Sequence, residues 1–185
     1  MFTRPRTTHL TTLFAAAALT LAGSTVASAQ ILAERYIVGL DAGINVTKFD
    51  ERDAAFRLAL SPTVLYLLND NLALGGEVTF GVQDSGPGDA FVVYGLAPAA
   101  RYYLGDGDDN RWFVDGSLGV RGTSIEGDDP GVSIGFGAGY TIFFNEGLAL
   151  EPGARFTFLP GDVSGFQFDL SLGLQGFVDA LRPGR

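Results

Sequence analysis

ALEPGARFTF, residues 149–158, alternates without a break. Leu150, Pro152, Ala154, Phe156 and Phe158 share one face, and Ala149, Glu151, Gly153, Arg155 and Thr157 share the other. A period of two is the signature of a β-strand with unlike faces. The pattern leaves open which face points inward. An apolar face turned in describes a soluble β-protein, and the same face turned out requires lipid as its solvent.

The same alternation recurs along the chain. Segments at roughly 36–47, 56–68, 72–82, 91–104, 111–124, 132–144, 148–158 and 166–177 repeat it, separated by Gly/Asp/Asn/Pro clusters. Asn69-Asp70-Asn71, Gly105 to Asn110 and Asn145-Glu146-Gly147 read as turns, while the connections around 48–55, 83–90, 125–131 and 159–165 are mostly longer and acidic. NDNLALGGEVTF (69–80) echoes NEGLALEPGARFTF (145–158), so one hairpin unit recurs. A repeated up-down hairpin with short turns at one end is the pattern of a meander or barrel.

Side-chain size decides the faces. One parity collects Ile44, Leu58, Leu96, Trp112, Leu118, Phe136, Phe156 and Leu170; the other collects Gly39, Gly75, Ala97, Ser117, Gly137 and Gly173 with scattered charges. An eight-stranded barrel has a bore that side chains only just fill, so the bulky parity must point out. A solid apolar exterior is not tolerated in water but is what a membrane barrel shows to lipid. Closure is required too, because open sheet edges do not occur in hydrocarbon. The expected fold is therefore all-β: an eight-stranded antiparallel up-and-down transmembrane β-barrel. Tyr36, Tyr66, Tyr102, Trp112, Tyr140 and Phe144 point outward near the short turns or the chain start, where an interfacial aromatic girdle belongs. Pro62, Pro98 and Pro152 are outward as well, and bulges are expected at them.

The N-terminal stretch reads MFTRPRTTHLTTLFAAAALTLAGSTVASAQ. Arg4 and Arg6, a short apolar core and Ala27-Ser28-Ala29 make a cleavable secretory signal over residues 1–29, leaving 30–185 as one barrel domain. All 21 acidic residues lie in that domain against ten of the twelve basic ones, which argues against nucleic acid as a partner. The sequence has no Cys, and its single His, His9, lies in the signal segment. Nucleophile–imidazole catalysis and zinc sites lose their usual groups. No catalytic residue, cofactor or metal site is expected. The acidic run Gly105–Asn110 lacks the spacing of a calcium loop and reads as a solvated turn.

The inward charges are Asp41, Arg57, Glu77, Arg101, Asp115, Arg121, Glu151, Arg155 and Asp169, four positive and five negative. Strand-pair symmetry predicts a Glu77–Arg101–Asp115 cluster and an Arg155–Asp169 pair. Buried charges need partners, so the set reads as a structural plug, with a proton or ion relay as the alternative. Leu65, Leu67, Phe91 and Val93 also point inward, which fits strand-end packing or a greasy mouth for a narrow pore. A soluble periplasmic ligand barrel is the remaining alternative.

SPTVLYLLNDNLALGGEVTF (61–80), followed by LAPAARYYLGDGDDNRWFVDGSLGV (96–120), resembles the outer-membrane protein β-barrel domain family, the small eight-stranded barrels of the OmpA/OmpX type. Arg101-Tyr102-Tyr103 is its most specific element, and the resemblance runs over about Tyr36 to Phe177. It implies a cell outer-membrane location reached by secretion through the inner membrane, periplasmic termini and long loops outside the cell. It implies lipids and lipopolysaccharide as surroundings, and no conserved catalysis. Monomeric state is the expectation. Barrel-assembly machinery in such proteins reads a C-terminal aromatic; Gly173-Leu174-Gln175-Gly176-Phe177 is similar, though Phe177 has inward parity and eight residues follow it.

Overall fold

Eight strands in the computed structural model carry the alternation: β1 Arg35–Phe49, β2 Ala55–Leu67, β3 Leu72–Asp84, β4 Ala90–Leu104, β5 Arg111–Thr123, β6 Gly131–Asn145, β7 Leu148–Leu159 and β8 Gly165–Asp179. The structure describes residues 31, 33–49, 55–84, 90–105, 110–125, 129–160 and 165–180. The signal segment, most of the Gly105–Asn110 turn and most of the acidic loop residues lie outside the described residues.

Each strand pairs antiparallel with its chain neighbours, and β1 pairs with β8, so the sheet closes with no edge. The shortest strand, β7, has 12 residues, enough for the roughly 9–11 residues a tilted strand needs to cross hydrocarbon. The large residues point out: Leu58 is 68% exposed, Trp112 61% and Phe136 61%. The inward parity of β6 is small from Gly131 to Gly139. A Cβ on Gly139 would collide with the Phe113 ring across the β5–β6 pair.

The girdle residues gather at the short-turn end. Tyr36 packs at a tilt against Tyr66, with ring centroids 5.1 Å apart, and Trp112 against Tyr140 at 4.9 Å. Both are directly opposed cross-strand pairs. Tyr102 and Phe144 are exposed beside them. At the other end, Phe80 opposes Tyr94 and Phe158 opposes Phe166, all four exposed.

The expected proline bulges are absent. Pairing is interrupted beside Pro62 on its β3 side, beside Pro98 on its β5 side and beside Pro152 on its β6 side, yet the register is the same before and after each gap. Each proline keeps its pairing position on the other side, opposite Leu40, Gly76 and Leu172. Alternate residues in an antiparallel ladder hydrogen-bond to alternate neighbours, so a missing N–H opens one side only. The register shift that does occur lies at Phe143/Asn145, beside the β6–β7 turn.

Leu118 sits midway along β5 and is 59% exposed. Leu118→Arg is expected to destabilise the protein by about 2–4 kcal/mol in a bilayer, measured by denaturant unfolding from lipid vesicles. An unchanged midpoint contradicts a lipid-facing exterior.

Candidate functional site: the bore

The bore is built in tiers, each set by where small residues leave space for long ones. At the short-turn end lies an apolar floor of Ile37, Leu65, Leu67, Ala73, Tyr103, Phe113, Ala149 and Phe177, with Ile31, Ala99 and Phe143 packed on it. Leu65, Leu67 and Phe177 therefore pack at a strand end and line no mouth. Phe177 packs against Phe143 with ring centroids 5.0 Å apart. Its carbonyl accepts a hydrogen bond from Arg35 Nη2 at 3.0 Å.

Above the floor is the central charge layer. Arg101 Nη1 meets Glu151 Oε2 at 2.5 Å, and Arg101 Nη2 is 3.6 Å from Asp115 Oδ2. The guanidinium also sits over the Phe113 ring, 4.0 Å from its centroid, a favourable cation–π position. Thr141 Oγ1 donates to the other Glu151 oxygen at 2.7 Å. Arg155 joins Glu77 at 2.5 Å and Asp115 at 2.8 Å. One continuous chain of charges results: Glu151–Arg101–Asp115–Arg155–Glu77.

Two expected contacts are replaced. Glu77 lies opposite Ala97, whereas Arg101 lies opposite Ala73, so Glu77 pairs with Arg155 instead of Arg101. Arg155 and Asp169 are directly opposed in the ladder, but the Arg155 side chain reaches across the bore to β3 and β5. The reason is diameter: a guanidinium on a long stem meets the far wall of so narrow a barrel as readily as its neighbour. Asp41 stands apart, 3.5 Å from Gln175 Nε2, and a Cβ on Gly173 would strike its carboxylate.

The third tier lies toward the long loops. Arg57 Nη2 and Arg121 Nη1 both donate to Gln167 Oε1, at 2.9 and 2.6 Å. Gln167 Nε2 in turn donates to both oxygens of Asp169, at 2.6 and 2.7 Å. A polar cavity of about 100 Å³ threads the charge layer between this tier and the floor, bordered by Ser61, Thr79, Ser117, Arg155, Arg121 and Asp169 among others.

Sequence reasoning missed the neutral polar groups that complete these tiers. Gln167, Thr141, Asn45, Gln83 and Gln175 are all buried and inward. It also missed Arg111, which is buried and donates to the Asp70 carbonyl at 3.0 Å. Parity with Phe113 and Asp115 was the available signal for Arg111.

No family model and no curated protein matches the sequence. Solved structures do match. Neisserial surface protein A aligns with 17% identity and a TM-score of 0.64, over 76% of this chain and 96% of that one. The N-terminal β-barrel domain of Pseudomonas aeruginosa OprF aligns with 16% identity and a TM-score of 0.47, over 74% and 96%. Ail of Yersinia pestis aligns with 13% identity and a TM-score of 0.46, over 78% and 99%.

Removing one partner of a buried ion pair strands the other, a loss of about 3–5 kcal/mol. Arg101→Ala is expected to cost that much in denaturant unfolding. Double-mutant cycles are expected to give a coupling of about 0.5–3 kcal/mol for Arg155 with Glu77. A larger coupling of Arg155 with Asp169 than with Glu77 contradicts the cross-bore pairing.

Proposed function

We propose that this chain, which has the fold of the small eight-stranded outer-membrane β-barrels, is an integral outer-membrane protein with a structural or surface-interaction role. The observation that carries the reading is the contrast between its two surfaces. Outside, large apolar residues such as Ile44, Leu58 and Leu96 are exposed from strand to strand, which suits lipid and not water. Inside, an apolar floor and a linked charge layer follow one another along the bore, which supports a closed barrel.

Charges joined in one network at close range serve better as a plug than as a relay. Each carboxylate in the network is held by at least one guanidinium, and Glu151 also by Thr141. A conducting path needs groups that bind weakly enough to release. The floor adds a second obstacle, since ions do not cross packed Ile37, Leu65, Tyr103 and Phe177 without its opening. The proposed surroundings are outer-membrane lipid and lipopolysaccharide, with the assembly machinery engaged during insertion and a monomeric end state. Export through the inner membrane is part of the same reading, and so is the absence of a catalytic role.

The narrow pore or carrier is the second reading, and it draws on the polar cavity within the bore. Planar-bilayer recording separates the two. The closed reading expects a silent bilayer with the purified protein, and brief conductance at most after Phe113→Ala and Phe177→Ala open the floor. Steady, discrete steps from the unaltered protein establish the pore instead.

A further inference from the structure

The third tier of the bore holds more positive charge than its neighbours neutralise. Arg57 and Arg121 come from β2 and β5, on different parts of the wall, yet both guanidiniums end on one neutral oxygen, Gln167 Oε1. Among the described residues neither has a carboxylate oxygen within 4.0 Å, the reach of the ion pairs found lower in the bore. Asp169 is the nearby acid on β8, and both of its oxygens accept from the Gln167 amide. Two like charges converging on a neutral amide, with one carboxylate between them that contacts neither, are unfavourable when buried.

Two further groups in this tier lack partners. Arg57 is 4% exposed and its Nε has no hydrogen-bond partner. Asn45 is fully buried, and both its Nδ2 and its Oδ1 are without partners. Asn45 points into the bore directly between Arg57 on β2 and Asp169 on β8 in the strand register. Buried amides and guanidiniums are ordinarily satisfied, so the orphaned donors mark a place for an acceptor. The polar cavity reaches this tier at Arg121, Gln167 and Asp169, while Arg57 and Asn45 stand behind that lining.

We propose that this tier is a binding site for one small tetrahedral oxyanion, phosphate or sulfate, taken from solution on the long-loop side. An acceptor with several oxygens suits this level of the bore, because β1, β2 and β5 each bring a donor to it. Guanidinium forks suit such groups. The anion adds to Asp169 the second negative charge that two arginines call for, and it gives Asn45 Nδ2 an acceptor. The lower tier does not compete for it. That tier carries Glu77, Asp115 and Glu151 against Arg101 and Arg155, so an anion is repelled from below and held at the upper level. The site therefore closes the bore from the loop side with a bound ion.

The test uses the folded barrel in detergent micelles, titrated with inorganic phosphate at fixed ionic strength. Binding is followed by phosphorus NMR and by the thermal unfolding midpoint. Saturable binding that raises the midpoint above a chloride control is expected, with sulfate competing. Arg57→Gln and Arg121→Gln should each weaken phosphate about tenfold or more, the scale of a lost charge-assisted hydrogen bond. Arg57→Lys and Arg121→Lys, which preserve charge and folding, should weaken it less. Asp169→Asn should tighten binding by removing the one local negative charge. Arg35→Gln, at the opposite end of the barrel, should leave it unchanged. Phosphate behaving like chloride, or affinity unmoved by the arginine substitutions, overturns the proposal. So does displacement of phosphate by lipopolysaccharide in the micelle, which would put the anion on the outer wall.

Discussion

Everything in this structure follows from the width of an eight-stranded barrel. The bore admits one layer of side chains from each wall and no more. Bulky residues on both parities along the whole length are therefore impossible, and above the floor the chain gives the inward parity mostly to glycine, alanine, serine and threonine, with the charges between them. Gly139 shows the constraint at one position: its missing side chain is the space that Phe113 occupies. The apolar parity is then forced outward, and the exterior that results is stable only in lipid.

The same narrowness organises the interior. Long side chains reach the far wall, so the charge layer is tied across the barrel as well as along a ladder, where Arg101 meets its directly opposed neighbour Asp115. Arg155 on β7 holds Glu77 on β3, and Arg101 on β4 holds Glu151 on β7. These cross-ties brace a sheet whose own hydrogen bonds run only around the circumference. The apolar floor does a complementary job at the short-turn end, where Phe143 and Phe177 meet under Tyr103 and Phe113.

The strands and their faces were legible because a period of two survives any tertiary context. The boundaries expected from turn residues fall within a few residues of those observed, as at 72–82 against Leu72–Asp84. The charge partners were less legible. Strand symmetry places Arg155 opposite Asp169 correctly, but Cα register does not say where a long flexible side chain ends. Glu77 was misplaced for a different reason: its partner depends on the centre of the 85–89 connection, and a shift of that centre moves the pairing by four residues. The floor was hard to read because Leu65, Leu67 and Phe177 break the small-inside rule, and only closure of the barrel shows that they meet. The prolines misled because a lost donor interrupts a ladder without displacing it.

The central claim is that this is a closed barrel whose bulky face meets lipid. Membrane fractionation followed by detergent gels, run with and without boiling, tests it most directly. The protein is expected to sediment with outer membranes and to migrate as a compact band until boiling unfolds it to a slower one. A protein that remains in solution without detergent and shows a single band under both conditions would contradict it, because the exposed face would then have to be soluble as it stands.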